Sequence, residues 1–148
     1  SNEARIAVLP EAKDFKPVDK SAYASAGAQT AIEVFEGTNG SDTVGYTIKT
    51  APSGYGGPVE LTIGISKGGK ITGVNVGNNS ETPGLGAKAT DPAFNGQYKG
   101  KAAKALEVIK SGAPNESQIK AISGATITSK AVTGGVNEAI AIFDAINK

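Results

Sequence analysis

Apolar and polar residues alternate over 31–37 and 43–50, where Ile32 and Val34, and then Val44, Tyr46 and Ile48, recur every second position. That is the period of a strand with one covered face. Between them Thr38-Asn39-Gly40-Ser41-Asp42 has the turn chemistry of a hairpin. The alternation returns over 59–66, with Leu61, Ile63 and Ile65 on one face, and over 71–76, with Val74 and Val76; Lys67-Gly68-Gly69-Lys70 joins the two as the clearest hairpin of the chain. From Thr128 the period changes. Val132, Val136, Ile140, Phe143 and Ile146 are spaced by four, four, three and three, one face of a helix of about five turns. The pattern predicts an α+β fold, an antiparallel sheet packed by a long C-terminal helix, in a single domain.

The rest of the chain is less regular. Ser1 to Leu9 reads as a helix stopped by Pro10 and lacks an initiating Met, so a piece of a longer protein is expected. Asp91-Pro92-Ala93-Phe94 predicts a short helical turn. The stretch 102–110 stays open between helix and strand, since Leu106-Glu107-Val108-Ile109 suits both. Residues 118–122 read as a short link of helical character. Gly134-Gly135 inside the final helix cost about 1 kcal/mol each relative to Ala, which predicts a packing or ligand reason for the pair. Three loops hold much of the glycine: 51–58, 78–86 and 123–129.

Charge and composition narrow the chemistry. Fifteen Lys and Arg against 14 Asp and Glu give a net charge of +1, so no nucleic-acid footprint is present. The chain has no Cys, His, Met or Trp. The ligands of Fe–S clusters, haem and most zinc or copper sites are therefore missing, and any redox chemistry must come from an organic cofactor. Without His there is no conventional base for a serine nucleophile, and no pair of acids shares an evident site. No run of 18 apolar residues spans a membrane.

Ser123-Gly124-Ala125-Thr126-Ile127-Thr128-Ser129 places a small-residue turn and several hydroxyls at a helix start, where N–H groups and the helix dipole favour a phosphate. The same run also suits an ordinary cap and turn. Glu81 is the only acid of its loop and reads equally as a solvated carboxylate. Tyr55, between Gly54 and Gly56, is either folded onto the sheet or a stacking surface.

Taken together, the Ala-Val-Leu-Pro run with Ala12 and Phe15, Val44-Gly45-Tyr46, Gly54-Tyr55-Gly56-Gly57, Glu81-Thr82-Pro83-Gly84-Leu85-Gly86 and the Ser123 to Ser129 run resemble an FMN-binding domain over nearly all of 1–148. It is similar to the kind found in the G subunit of the Rnf electron-transport complex and the C subunit of the sodium-translocating NADH:quinone oxidoreductase. The resemblance implies FMN joined by a phosphoester to Thr126, its phosphate over the helix start, with Ser123, Gly124 and Ala125 forming the turn and Thr128 and Ser129 as donors. It implies that Glu81, Thr82, Gly84 and Leu85 meet the flavin or its ribityl chain, with Tyr55 nearby and Lys88 and Lys130 as cationic partners. Two positions depart from the family pattern: Asn79 stands where His is frequent, and Lys120 where the flavin-transfer signature has Asp. The implied function is that of an electron-transfer subunit, without turnover of its own, in an ion-translocating complex of the ferredoxin:NAD oxidoreductase type. Its partners are other subunits and the cell membrane, reached through an N-terminal helix outside this sequence, with the domain on the extracytoplasmic side. The alternatives are a non-redox module that binds an anion or a partner, with Thr126 as a helix cap, and a detached FMN domain of a flavinylated reductase.

Overall fold

The structure, a computed structural model, describes residues 1–147. Helix α1 (Asn2–Val8) precedes β1 (Asp14–Pro17), β2 (Ala31–Asn39), β3 (Asp42–Thr50), β4 (Leu61–Ser66) and β5 (Ile71–Val76). These five strands form one sheet in chain order, each pair antiparallel. The α+β architecture is the one that the alternation predicts, with the long C-terminal helix α3 (Thr126–Ile146) packed on the sheet.

Register decides which side chains meet α3. Tyr46 pairs with Ile65, Ile48 with Ile63 and Thr50 with Leu61, and directly opposed residues share a face. A Cβ added at Gly135 would lie 2.6 Å from Leu61 Cδ1 and 2.8 Å from Thr50 Oγ1, so this face carries α3. The expected reason for Gly134-Gly135 is thus packing at Gly135, whereas Gly134 faces open space. Val132, Val136, Ala139, Ile140 and Phe143 close over Ile48, Leu61, Ile63 and Ile65. Each large aliphatic chain so buried contributes roughly 1.5–3 kcal/mol relative to exposure.

The opposite face takes α1. Gly45 and Gly64, which alternate with the core residues, leave room for the chain around Val8 and Leu9; a Cβ at Gly64 would stand 2.1 Å from the Val8 carbonyl oxygen. Arg5 is held over the Phe35 ring at 4.0 Å and pairs with Glu33 at 3.0 Å, which fixes the helix across the strands.

Three expectations need correction. The link over 118–122 is not helical: β7 (Gln118–Lys120) runs parallel to β6 (Glu107–Ile109), with Val108 opposite Ile119. Ile119 is fully buried between two polar neighbours, a strand alternation too short to register as a period. Gln97 completes the edge of β7, accepting from Lys120 N at 2.8 Å and donating to its carbonyl at 3.0 Å. Strand β1 was not foreseen, because Asp14-Phe15-Lys16-Pro17 offers one apolar residue and a terminal Pro. Finally, β4 starts at Leu61, two residues after its expected start, whereas α3 starts at Thr126, where the resemblance implies the helix start. The short α2 (Pro92–Asn95) lies where a helical turn was expected. Among the described residues, no helix is long and apolar enough to cross a membrane.

Candidate cofactor-binding site

At one end of the sheet the three glycine-rich loops converge on a cavity of about 600 Å³, lined by Tyr55, Thr82, Leu85, Gly86 and the run Gly124 to Thr128. That volume lies within the roughly 300–1,000 Å³ of small-molecule sites. Five large apolar side chains are exposed among the described residues, and three of them, Tyr55 (71%), Leu85 (42%) and Ile127 (57%), stand on this cavity. Such clustering leaves an apolar surface that a flat ligand would cover.

One wall is the start of α3. Gly124 turns the chain with φ +75°, a left-handed conformation that glycine adopts without strain. Ala125 then occupies the cap position, with no side-chain capping bond and no acidic residue in the first turn. The leading N–H groups of a helix have no acceptor within it, and Ala125 supplies none. Thr126 is the first helical residue, half-buried on the cavity. It is not the helix cap.

The other wall is bracketed by Glu81, which is buried. Its Oε1 accepts from Tyr55 N at 2.8 Å and from Thr128 Oγ1 at 2.5 Å, and its Oε2 accepts from Gly56 N at 2.7 Å. Asn79 Oδ1 accepts from Glu81 N at 3.1 Å and fixes the approach of the loop. Burial raises the carboxyl's pKa, but the three bonds together outweigh it and hold the group below its ordinary value.

The hydroxyls of the final run have different fates. Ser129 is fully buried; it donates to Ala125 O at 2.8 Å and accepts from Ile122 N at 2.9 Å, so it locks the turn from behind. Thr128 is committed to Glu81. Ser123 and Gly84 are exposed and do not line the cavity; Gly84 turns its loop with φ +79°. Lys88 and Lys120 line a second, smaller cavity of about 250 Å³ beside Asp91 and Gln97, and Lys130 is exposed on α3. Ile127 and Gly86 belong to the site without having been foreseen. For Ile127 a signal existed, an apolar residue lying off the core-facing stripe of its helix.

Residues 54–141 match the family described as FMN-binding domain. The chain is 44% identical to the G subunit of the Na(+)-translocating ferredoxin:NAD(+) oxidoreductase complex of Acetobacterium woodii, over 98% of this chain and 74% of that protein. It is 38% identical to the G subunit of the ion-translocating oxidoreductase complex of Methanosarcina acetivorans, over 93% of this chain and 72% of that one. The chain belongs to the FMN-binding domain family. The fold agrees with the crystal structure of the C subunit of Na(+)-translocating NADH-quinone reductase from Parabacteroides distasonis, at a TM-score of 0.72 and 23% identity over 93% of this chain and 78% of that one.

FMN is the cofactor of this FMN-binding domain, and the residues present suit it. An apolar cluster of Tyr55, Leu85 and Ile127 matches a planar ring system, while a helix start without a side-chain cap, with Thr126 beside the cavity, matches a phosphate. Both halves of the match open on one cavity.

Proposed function

We propose that this chain is the FMN-carrying electron-transfer subunit of a membrane ion-translocating complex of the ferredoxin:NAD oxidoreductase type, with FMN joined by a phosphoester to Thr126 Oγ1. The observation that carries the reading is the position of Thr126, the first residue of an uncapped helix, half-buried on an apolar cavity. Bound FMN supplies the chemistry of taking up electrons and passing them on.

The chain's own residues bind and orient. N–H groups of the first turn of α3, with the helix dipole, stabilise a phosphate by roughly 0.3–1 kcal/mol and up to ~2 kcal/mol where partly buried. No carboxylate in that turn opposes it. Tyr55, Leu85 and Ile127 exclude water from the ring's surroundings while leaving the mouth open for transfer to a neighbouring protein. In the covalent step the Thr126 hydroxyl would give up its proton as its oxygen bonds to the flavin-side phosphorus of a flavin dinucleotide donor, whose pyrophosphate P–O bond breaks so that the nucleoside monophosphate half leaves. Membrane attachment through a preceding helix and placement on the extracytoplasmic side belong to the same reading, supported by the kinship with the G subunits of ion-translocating complexes. A module in which Thr126 merely caps the helix is disfavoured, because Ala125 holds the cap position.

Mass spectrometry of the protein coexpressed with its flavin transferase and exported tests the linkage. An FMN adduct on the peptide containing Thr126, lost in Thr126→Ala with the circular dichroism unchanged, is the expected result. Unmodified Thr126 and no flavin band in the visible spectrum would overturn it.

A further inference from the structure

Glu81 stands behind the cavity wall rather than on it. Both its oxygens are engaged by the protein, from two segments far apart in sequence: the backbone N–H groups of Tyr55 and Gly56, and the hydroxyl of Thr128 on α3. Two of these partners, Tyr55 and Thr128, line the cavity. Space around the carboxylate is shaped to hold it. A Cβ at Gly54 would lie 2.5 Å from Glu81 Oε1, one at Gly56 2.2 Å from Ser80 O, and one at Gly86 2.4 Å from Thr128 Oγ1. Two loops thus approach the Glu81–Thr128 pair more closely than any other residue type permits.

Resting on the FMN-carrying reading, we propose that Glu81 is a positioning residue: its carboxylate ties the Gly54 to Gly57 loop to the first turn of α3, and so holds Tyr55 against the cofactor site. The three bonds are charge-assisted, and their removal leaves two part-buried N–H groups without that acceptor. Among the described residues no ion pair involves the carboxylate; its counterweights there are dipoles. One hydroxyl separates it from the cavity, so its charge disfavours added negative charge there.

Glu81→Gln keeps the shape and removes the charge and one acceptor. Amide hydrogen exchange is measured in the FMN-free protein, where Tyr55 and Gly56 are expected to exchange at least about tenfold faster, the consequence of losing a charge-assisted bond, while β3 and β4 amides keep their protection. In the flavinylated protein the same variant raises the flavin's reduction potential, a change that loop rigidity alone does not produce. Unchanged exchange at Tyr55 and Gly56 overturns the brace; faster exchange with an unchanged potential overturns its role toward the cofactor. If Glu81→Gln unfolds throughout, Thr128→Val carries the test by removing one bond, and wild-type exchange at Tyr55 in that variant overturns the proposal. A chain that acquires no flavin yet shows the exchange response sinks the FMN-carrying reading and leaves the brace standing.

Discussion

Close approach through glycine serves two different ends in this molecule. On the face covered by α1, Gly37 and Gly73 admit the chain around Val8 and Leu9, and what stands nearest them is the side chains of Leu9, Ala12 and Phe15 and the backbone and side chain of Val8. At the cavity, Gly54, Gly56 and Gly86 admit a carboxylate and a hydroxyl. The first arrangement gains by removing apolar surface from water and is indifferent to any ligand. The second gathers polar groups whose hydrogen bonds hold three loops in register, leaving apolar side chains exposed around an opening. Packing at the α1 face adds to stability without touching the cavity, whereas the cavity end sets ligand geometry.

That contrast can be broken at either end. The largest effect on stability is expected for Leu9→Ala: Leu9 is 1% exposed, and the substitution should cost about 3 kcal/mol by denaturant unfolding, while the flavin content of the folded fraction stays at the wild-type level. Loss of flavin in proportion to stability would show that the two regions are one cooperative unit. Gly56→Ala works the other way. Its Cβ meets the backbone oxygen of Ser80, so a loss of about 2 kcal/mol is expected, together with a fall in flavin incorporation that Leu9→Ala does not cause.

Ser129→Ala sharpens the comparison within a single helical turn. The hydroxyl serves Ile122 N and Ala125 O, so its removal should cost about 1–2 kcal/mol and slow flavin attachment by loosening the turn before Thr126. Thr126→Ala, by contrast, should abolish attachment with stability within about 0.5 kcal/mol of wild type. Acid titration gives the smallest signal. The Glu81 pKa is held below its ordinary value of 4.5 in the folded state, so the stability it contributes is complete above that value and is lost as pH falls through the lower folded one. The wild type should lose stability below about pH 4.5 more steeply than Glu81→Gln, as read from unfolding midpoints across that window.

The strands and the final helix were legible because each repeats a signal over several residues: Leu61, Ile63 and Ile65 in one, Val132 to Ile146 in the other. The elements that were missed or misread, β1 and β7, are four and three residues long and are held by partners remote in sequence, so local pattern could not announce them. The cavity was partly legible. Loop composition and the resemblance point to Tyr55, Thr82, Leu85 and Thr126, and these four line one opening. The resemblance makes Ser129 a phosphate donor too, yet its hydroxyl is spent on its own backbone, because a serine inside a helix can donate to the carbonyl four residues back.

By itself, the sequence determined the alternation that makes the sheet, the stripe that lays α3 upon it, the absence of metal-ligating side chains such as Cys and His, and a hydroxyl run at a helix start. Those properties are local, set by residue type and spacing within a few turns. Only the tertiary structure decided that Glu81 lies behind the wall instead of on it, that Ala125 leaves the helix start uncapped, and that Tyr55, Leu85 and Ile127 face a single opening. Each of these depends on how the chain is brought together across tens of residues, and a carboxylate's role is set by which donors surround it once the chain has folded.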